Sequence, residues 1–247
     1  MGHQIVLYDM TTKVGAWSVN TWRTRYALKY KGIPFTTTWL ELCDVEREMI
    51  AAGAPPSGKW ADGRPKYTVP TIYDSLTKEY ITDCHEIARY LDKTYPDKPL
   101  LFPHNTSGLQ HVFTDTMFQK VPFAFFPAIL EHGFKIFNER TQAYFRETRE
   151  KIFGKKLEEI WGDEAVVEKA KADGKEGLTW VEAMVKENGD NALFLLGDSP
   201  VDADFAIASV FQWIKKGYPA LWEEVKGLNG GRWARFMEAM HQYEDEN

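Results

Sequence analysis

The run Val69-Pro70-Thr71-Ile72-Tyr73-Asp74-Ser75-Leu76-Thr77-Lys78-Glu79-Tyr80-Ile81 reads as two β-segments folded back on each other around Asp74-Ser75. A helix follows from Cys84 to Tyr95, with Ile87, Tyr90 and Leu91 on one face, and Pro96 stops it. Upstream, Gln4-Ile5-Val6-Leu7-Tyr8 predicts a short buried strand. Trp22 to Lys31 is helical in pattern and is ended by Gly32 and Pro34. Phe35-Thr36-Thr37-Thr38-Trp39-Leu40 is β-branched and aromatic, hence a second strand, and Asp44 is placed to cap a helix over 45–52. Gly53 to Lys66 is rich in Gly, Pro and charge and reads as loop. The order β-α-β-α-β-β-α calls for a parallel crossover plus an antiparallel pair, and so for a mixed sheet.

Past this region strand signals nearly vanish. Pro96 to Pro103, with three prolines, forms a linker over 96–103. Amphipathic segments follow at 107–120, 123–159, 164–173, 176–188, 202–216 and 231–243. Residues 1–95 are therefore expected to form an α/β domain and residues 104–247 an all-helical one. Ser199-Pro200-Val201-Asp202 is expected to start a helix, with Ser199 as cap and Pro200 at its first position.

The chain has 247 residues, 44% of them apolar and 14% aromatic, enough for a substantial core. Thirty Lys and Arg against 36 Asp and Glu give a formal charge of −6, which argues against general nucleic-acid binding. The longest nearly unbroken apolar run, Val121 to Leu130, contains Pro122 and Pro127 and is too short to cross a bilayer. Cys43 and Cys84 are far apart, which fits a reducing compartment, and no secretory pattern opens the chain, so a cytoplasmic location is expected.

A strand, a loop, a helix and a later Val-Pro-Thr-Ile resemble the thioredoxin-like fold. Four tracts carry a closer resemblance: Leu7-Tyr8-Asp9; Ser18 followed by Trp22-Arg23-Thr24-Arg25-Tyr26-Ala27-Leu28-Lys29; Val69-Pro70; and Asp83-Cys84 leading to Ile87-Ala88 and Tyr90-Leu91. With Gly197-Asp198 and Ala203-Asp204 in the second half, they resemble the glutathione transferase superfamily over nearly the whole chain. The Trp-Arg-Thr-Arg-Tyr-Ala-Leu-Lys tract is similar to bacterial β-etherases and to the etherase-related fungal Fu-A class. The resemblance implies a thioredoxin-like domain plus an all-α domain and glutathione as co-substrate without a further cofactor. It also implies a homodimer, and detoxification of aromatic, lignin-derived or other electrophilic compounds by conjugation or peroxide reduction. Etherase-type activity is a further possibility within it. Non-catalytic carriage of polyphenols is the alternative.

The chemistry can be stated independently. A free thiol with a pKa of roughly 8.5 is only about 3% ionised at pH 7. Lowering that pKa by about two units stabilises the thiolate by about 2.7 kcal/mol. A hydroxyl at a helix N-terminus, aided by unpaired N–H groups and the helix dipole, can supply this. Ser18, just before the first helix, is the candidate, with Asn20 as second donor. Related transferases carry Pro after this residue and here it is Val19, so Thr12 and Tyr8 remain rivals.

In the resembled fold Val69-Pro70 is cis, and the backbone of Val69 pairs with the cysteinyl part of glutathione like an added strand. Asp83-Cys84 at the start of the third helix would receive the γ-glutamyl group, Asp83 taking its ammonium and the helix N-terminus its carboxylate. Relatives carry Ser where this chain has Cys84, a weaker donor. The glycyl carboxylate needs a cation, and Lys66, then Lys59, ahead of Arg64, are favoured from the preceding loop. For the acceptor, Phe118 and Phe123 offer planar surfaces in the helical half, and Trp17, beside Ser18, is expected to face the ligand. No Cys-x-x-Cys, paired histidine spacing or Gly-rich phosphate loop occurs, so no metal or nucleotide is expected.

Overall fold

The computed structural model describes residues 4–244. Strand β1, Ile5–Met10, alternates buried and half-buried residues, and Ile5, Leu7 and Asp9 point into the core. It pairs in parallel with β2, Phe35–Leu40, and antiparallel with β5, Thr71–Asp74, which pairs with β6, Glu79–Thr82. The sheet order is β2-β1-β5-β6, the mixed sheet that the sequence predicts. Helix α1, Val19–Tyr30, starts three residues earlier than its apolar pattern, because Ser18 caps it. Helix α2 is Val45–Ala52 and α3 is Cys84–Thr94. Asp44 makes no cap bond to α2, since its carboxylate pairs with Arg47 and Arg140 instead. The segment read as pure loop holds a small hairpin of β3, Gly58–Lys59, and β4, Pro65–Lys66.

The helical half contains α4, Ser107–Lys120; α5, Pro122–Ile136; α6, Glu139–Phe153; and α7, Leu157–Trp161. It continues through α8, Glu164–Lys186; α9, Asp202–Gly217; α10, Pro219–Lys226; and α11, Leu228–Met240. The single segment expected over 123–159 is thus three helices, broken where Asn138 and Gly154 cap. The two expected over 164–188 are one. Gly174 and Gly177 lie inside α8 because their missing side chains admit the Phe125 ring and the Lys120 carbonyl, so they are packing contacts and not breaks.

The start of α9 also corrects the sequence reading. The helix begins at Asp202, not one turn earlier. Asp204, fully buried, accepts from the backbone N–H groups of Val201 (3.0 Å) and Leu195 (2.9 Å) and so closes the helix end without help from Ser199.

The two halves share one continuous core. Helix α1 packs along α9, where Tyr26 stacks on Phe205 with centroids 6.0 Å apart and its hydroxyl accepts from Gln212. The prolyl linker is held in place as well. Asp92 accepts from the N–H groups of Leu101 and Phe102 and pairs with buried Lys31, while the Leu101 carbonyl accepts from Asp202 N–H. Among the described residues no helix is long and apolar enough to cross a membrane.

Candidate active site

A cleft of about 730 Å³ opens between the α/β half and helices α4 and α5. Its α/β wall is built from the N-terminal parts of α1 and α3 and the end of β4, through Asn20, Arg23, Lys66, Asp83, Cys84 and His85. The opposite wall comes from α4 and the first turn of α5, and includes His111, Asp115, Phe118 and Phe123. Helix N-termini present unpaired N–H groups and the positive end of the dipole, so two of them meeting at one cleft favour anionic ligands.

Ser18 is nearly buried and stands at the N-cap of α1, two residues before Asn20. Its Oγ accepts from Thr21 N–H at 3.5 Å, a long contact, and its hydroxyl donates to no acceptor among the described residues. Capping and donation to a ligand are therefore compatible there. The rivals are otherwise engaged. Thr12 Oγ1 donates to the Gly15 carbonyl at 2.6 Å and closes a turn of the loop. Tyr8 packs with Val45 and Met49 of α2, with its ring 6.2 Å from that of Tyr80, and burial together with the Tyr80 hydrogen bond pushes its hydroxyl up to about 12.

The Val69–Pro70 peptide is cis. Among the described residues the N–H and C=O of Val69 have no hydrogen-bond partner, whereas the next carbonyl, of Pro70, accepts from Asp83 N–H at 3.3 Å. A free peptide edge thus stands beside the start of α3, open to strand-like pairing. Asp83, at φ 82°, caps α3 by accepting from His85 N–H (2.8 Å) and Glu86 N–H (3.3 Å). The Cys84 thiol is pushed up to about 11 by burial, although the nearby Arg23 guanidinium pulls the other way. It stays protonated at neutral pH and is no nucleophile.

Ser18, Val69 and Pro70 adjoin lining residues without lining the cleft themselves, and two further expected site residues lie well apart from it. Trp17 is 5% exposed and does not line the cleft. Its indole N–H donates to the Trp213 carbonyl at 3.0 Å, and its ring meets Phe137 edge-on at 5.5 Å and fills space left by Gly133 and Gly217. It is a core residue of the domain joint. Lys59 sits on β3, exposed and away from the cleft, because the hairpin pairs it with Pro65 at the outer end. Lys66, at the inner end, lines the cleft with its Nζ 5.0 Å from the centre of the Trp60 ring.

Sequence reasoning assigned no role to Arg23, His85, His111 or Asp115. Arg23 lies three residues past Asn20, one turn along the same helix face, a spacing that could have flagged it. His85 and His111 stack with centroids 4.1 Å apart across the seam, and burial, aided by His111, lowers the His85 pKa. That pairing joins α3 to α4 and had no local signal.

Comparison with known proteins bears directly on this geometry. Residues 17–94 match the model of the glutathione S-transferase N-terminal domain and residues 108–243 that of the glutathione S-transferase C-terminal domain. Glutathione transferase GSTFuA3 from Phanerochaete chrysosporium is 37% identical, with a TM-score of 0.92 over 98% of each chain. A glutathione S-transferase of Ceriporiopsis subvermispora, CsGST63524, solved in complex with glutathione, is 35% identical, with a TM-score of 0.92 over 98% of each chain. Glutathione S-transferase-like protein ustS of Aspergillus flavus is 29% identical over 238 residues, 92% of this chain and 85% of that one.

Proposed function

The chain belongs to the glutathione S-transferase family, and from that premise we propose that it binds glutathione along the α/β wall of the cleft and ionises its thiol at the start of α1. The observation that carries this reading is that the N-terminal ends of α1 and α3 meet on one cleft, with the cis Val69–Pro70 peptide tied to the start of α3 through the Pro70 carbonyl. Val69 pairs with the cysteinyl backbone, the start of α3 with Asp83 holds the γ-glutamyl group, and Lys66 takes the glycyl carboxylate. The thiol then lies at α1, where the Ser18 hydroxyl donates to sulfur and Asn20 adds a second donor. A proton leaves to solvent and the thiolate persists at neutral pH.

The acceptor stacks on the aromatic surface of Phe118 and Phe123, the latter 58% exposed at the cleft mouth. In conjugation the thiolate forms a C–S bond to an electrophilic carbon as the leaving group departs with the bonding pair. In peroxide reduction it takes the terminal oxygen of a hydroperoxide, releasing an alcohol after protonation, and a second glutathione converts the sulfenic acid to disulfide and water. Aromatic and lignin-derived electrophiles suit the rings, in a cytoplasmic detoxifying role and as a homodimer. The exposed Phe123 also favours a second reading, carriage of polyphenols without turnover.

Ser18→Ala decides the central step. Losing about 2.7 kcal/mol of thiolate stabilisation is about a hundredfold in the ionisation constant. Turnover of an activated aryl halide at pH 6.5 should fall by a factor of that order, and the kinetic thiol pKa should rise toward 8.5, while glutathione affinity by calorimetry persists. Unchanged turnover refutes the assignment and moves it to Asn20. Phenolics that displace a fluorescent dye and emerge unconjugated would establish the carrier reading.

A further inference from the structure

Arg23 forms part of the cleft wall between Asn20 and Cys84, with its side chain 5% exposed. A guanidinium has five N–H donors. Nε donates to Asp202 Oδ1 at 3.1 Å, Nη2 donates to Asp202 Oδ2, and Nη1 donates to Cys84 Sγ at 3.6 Å. The other two N–H groups have no acceptor among the described residues, and Cys84 Sγ is a weak acceptor that an anionic oxygen readily displaces. Asp202 is fully buried, at the first turn of α9. Burial opposes the charge on Arg23, but Asp202, with Cys84 and Asp83 adding to it, outweighs this and keeps the guanidinium protonated.

The ligand chemistry selects which end of glutathione belongs here. The γ-glutamyl end carries an ammonium and a carboxylate on one carbon, so it needs an acidic and a basic group side by side. Arg23 and Asp83 both line the cleft and flank Cys84. The glycyl end carries a carboxylate alone, which Lys66 suits. The geometry points to Arg23 as the residue that fixes the γ-glutamyl α-carboxylate, doing with a guanidinium what a hydroxyl at position 84 would otherwise do. This rests on the glutathione reading above. Asp202, from the helical half, holds the guanidinium in place as a positioning residue.

The test is a cycle of two ligands and two proteins, read by calorimetry. The ligands are S-methylglutathione and its analogue with the γ-glutamyl α-carboxylate converted to a primary amide. The proteins are the wild type and the double variant R23Q/D202N, which replaces the ion pair by two amides and leaves neither charge buried alone. On the wild type, amidation should weaken binding by a factor of about 10 to 100, as for loss of a charge-assisted pair. On the double variant the two ligands should bind within about threefold of each other. No loss on the wild type, or an equal loss on both proteins, overturns the assignment, the latter because the α3 N-terminus alone would then read the carboxylate. Should the double variant not fold, Arg23→Lys keeps the charge without the planar fork and should cut the discrimination at least about threefold; an unchanged ratio overturns the assignment. A wild type that binds neither ligand refutes the glutathione reading itself, a result distinct from glutathione binding with no sensitivity at Arg23.

Discussion

Trp17→Ala separates a joint residue from an acceptor-site residue, because the two roles predict opposite phenotypes. The indole is buried between α5 and α9 and donates one hydrogen bond to the Trp213 carbonyl. Removing a buried Trp side chain costs about 3–5 kcal/mol, and the abandoned carbonyl adds about 1 kcal/mol where water does not reach it. For a chain of this size about 4 kcal/mol lowers the midpoint of thermal unfolding by roughly 8–16 °C. A Cβ on Gly217 would lie 2.6 Å from Trp17 Nε1, and one on Gly133 2.6 Å from Cη2. Gly217→Ala should therefore cost about 1–3 kcal/mol in the wild type and clearly less in Trp17→Phe, whose ring is smaller, a coupling that a double-mutant cycle measures. Differential scanning calorimetry with parallel turnover assays is the experiment. A Trp17→Ala protein that unfolds at the wild-type temperature but loses turnover of aromatic acceptors would refute the joint role and return the indole to the cleft.

Gly177→Ala offers a similar contrast within one helix. Alanine is the better helix former by about 1 kcal/mol, yet its Cβ would stand 2.1 Å from the Lys120 carbonyl, so the variant should be less stable by about 1–3 kcal/mol, and an unchanged or raised unfolding temperature refutes the close approach of α8 to the end of α4. The buried carboxyl of Asp204 should leave a signature in pH. Burial pushes it up to about 7, against the pull of its two backbone donors, whereas the unfolded chain titrates it near the ordinary value of about 3.9. Between those values the folded protein holds a proton that the unfolded chain has released, so this group's share of stability is present below about pH 4 and declines as pH rises toward 7. Urea midpoints of wild type minus Asp204→Asn should fall over that interval, and a difference that rises or stays flat refutes the raised value.

The parts of the fold legible in the sequence are those fixed by local chemistry. Gly32 and Pro34 end α1, the β-branched tract from Phe35 makes a strand, and Pro96 stops α3; each acts within a few residues of itself. The errors arise where a residue's role is set from far along the chain. Adjacency to Ser18 does not reveal that Trp17 turns toward Gly133 and Gly217 and not toward the cleft. The gap expected between 173 and 176 disappears because the Phe125 ring fills the space that Gly174 leaves. The place of Asp83 at the cap of α3 and on the cleft wall, by contrast, is legible because capping is fixed by residues next to it in the chain. Arg23 sits in plain view in the sequence, but its burial at the cleft depends on pairing with Asp202, and no spacing rule links α1 to α9.

The Arg23–Asp202 pair also bears on why the cleft has a fixed shape. A buried ion pair contributes little net stability over a well-packed apolar pair, so its place at the seam of the two halves needs another account. Helix α1, capped by Ser18, carries Asn20 and Arg23 at its cleft end, while its buried side rests on α9. Rotating α1 by part of a turn would carry both residues out of the cleft together. The bidentate grip of Asp202 on Arg23, with the Tyr26 hydroxyl bound to Gln212 one turn further on, opposes that rotation by two directional contacts to the same helix. Trp17 secures the loop entering α1 to α5 and α9. The helical half thus does more than line the far side of the cleft. It sets the angle at which α1 presents its N-terminus, and since dipole and hydrogen-bond stabilisation of an anion fall off within a turn, that angle would govern how strongly the thiolate of the proposed function is held.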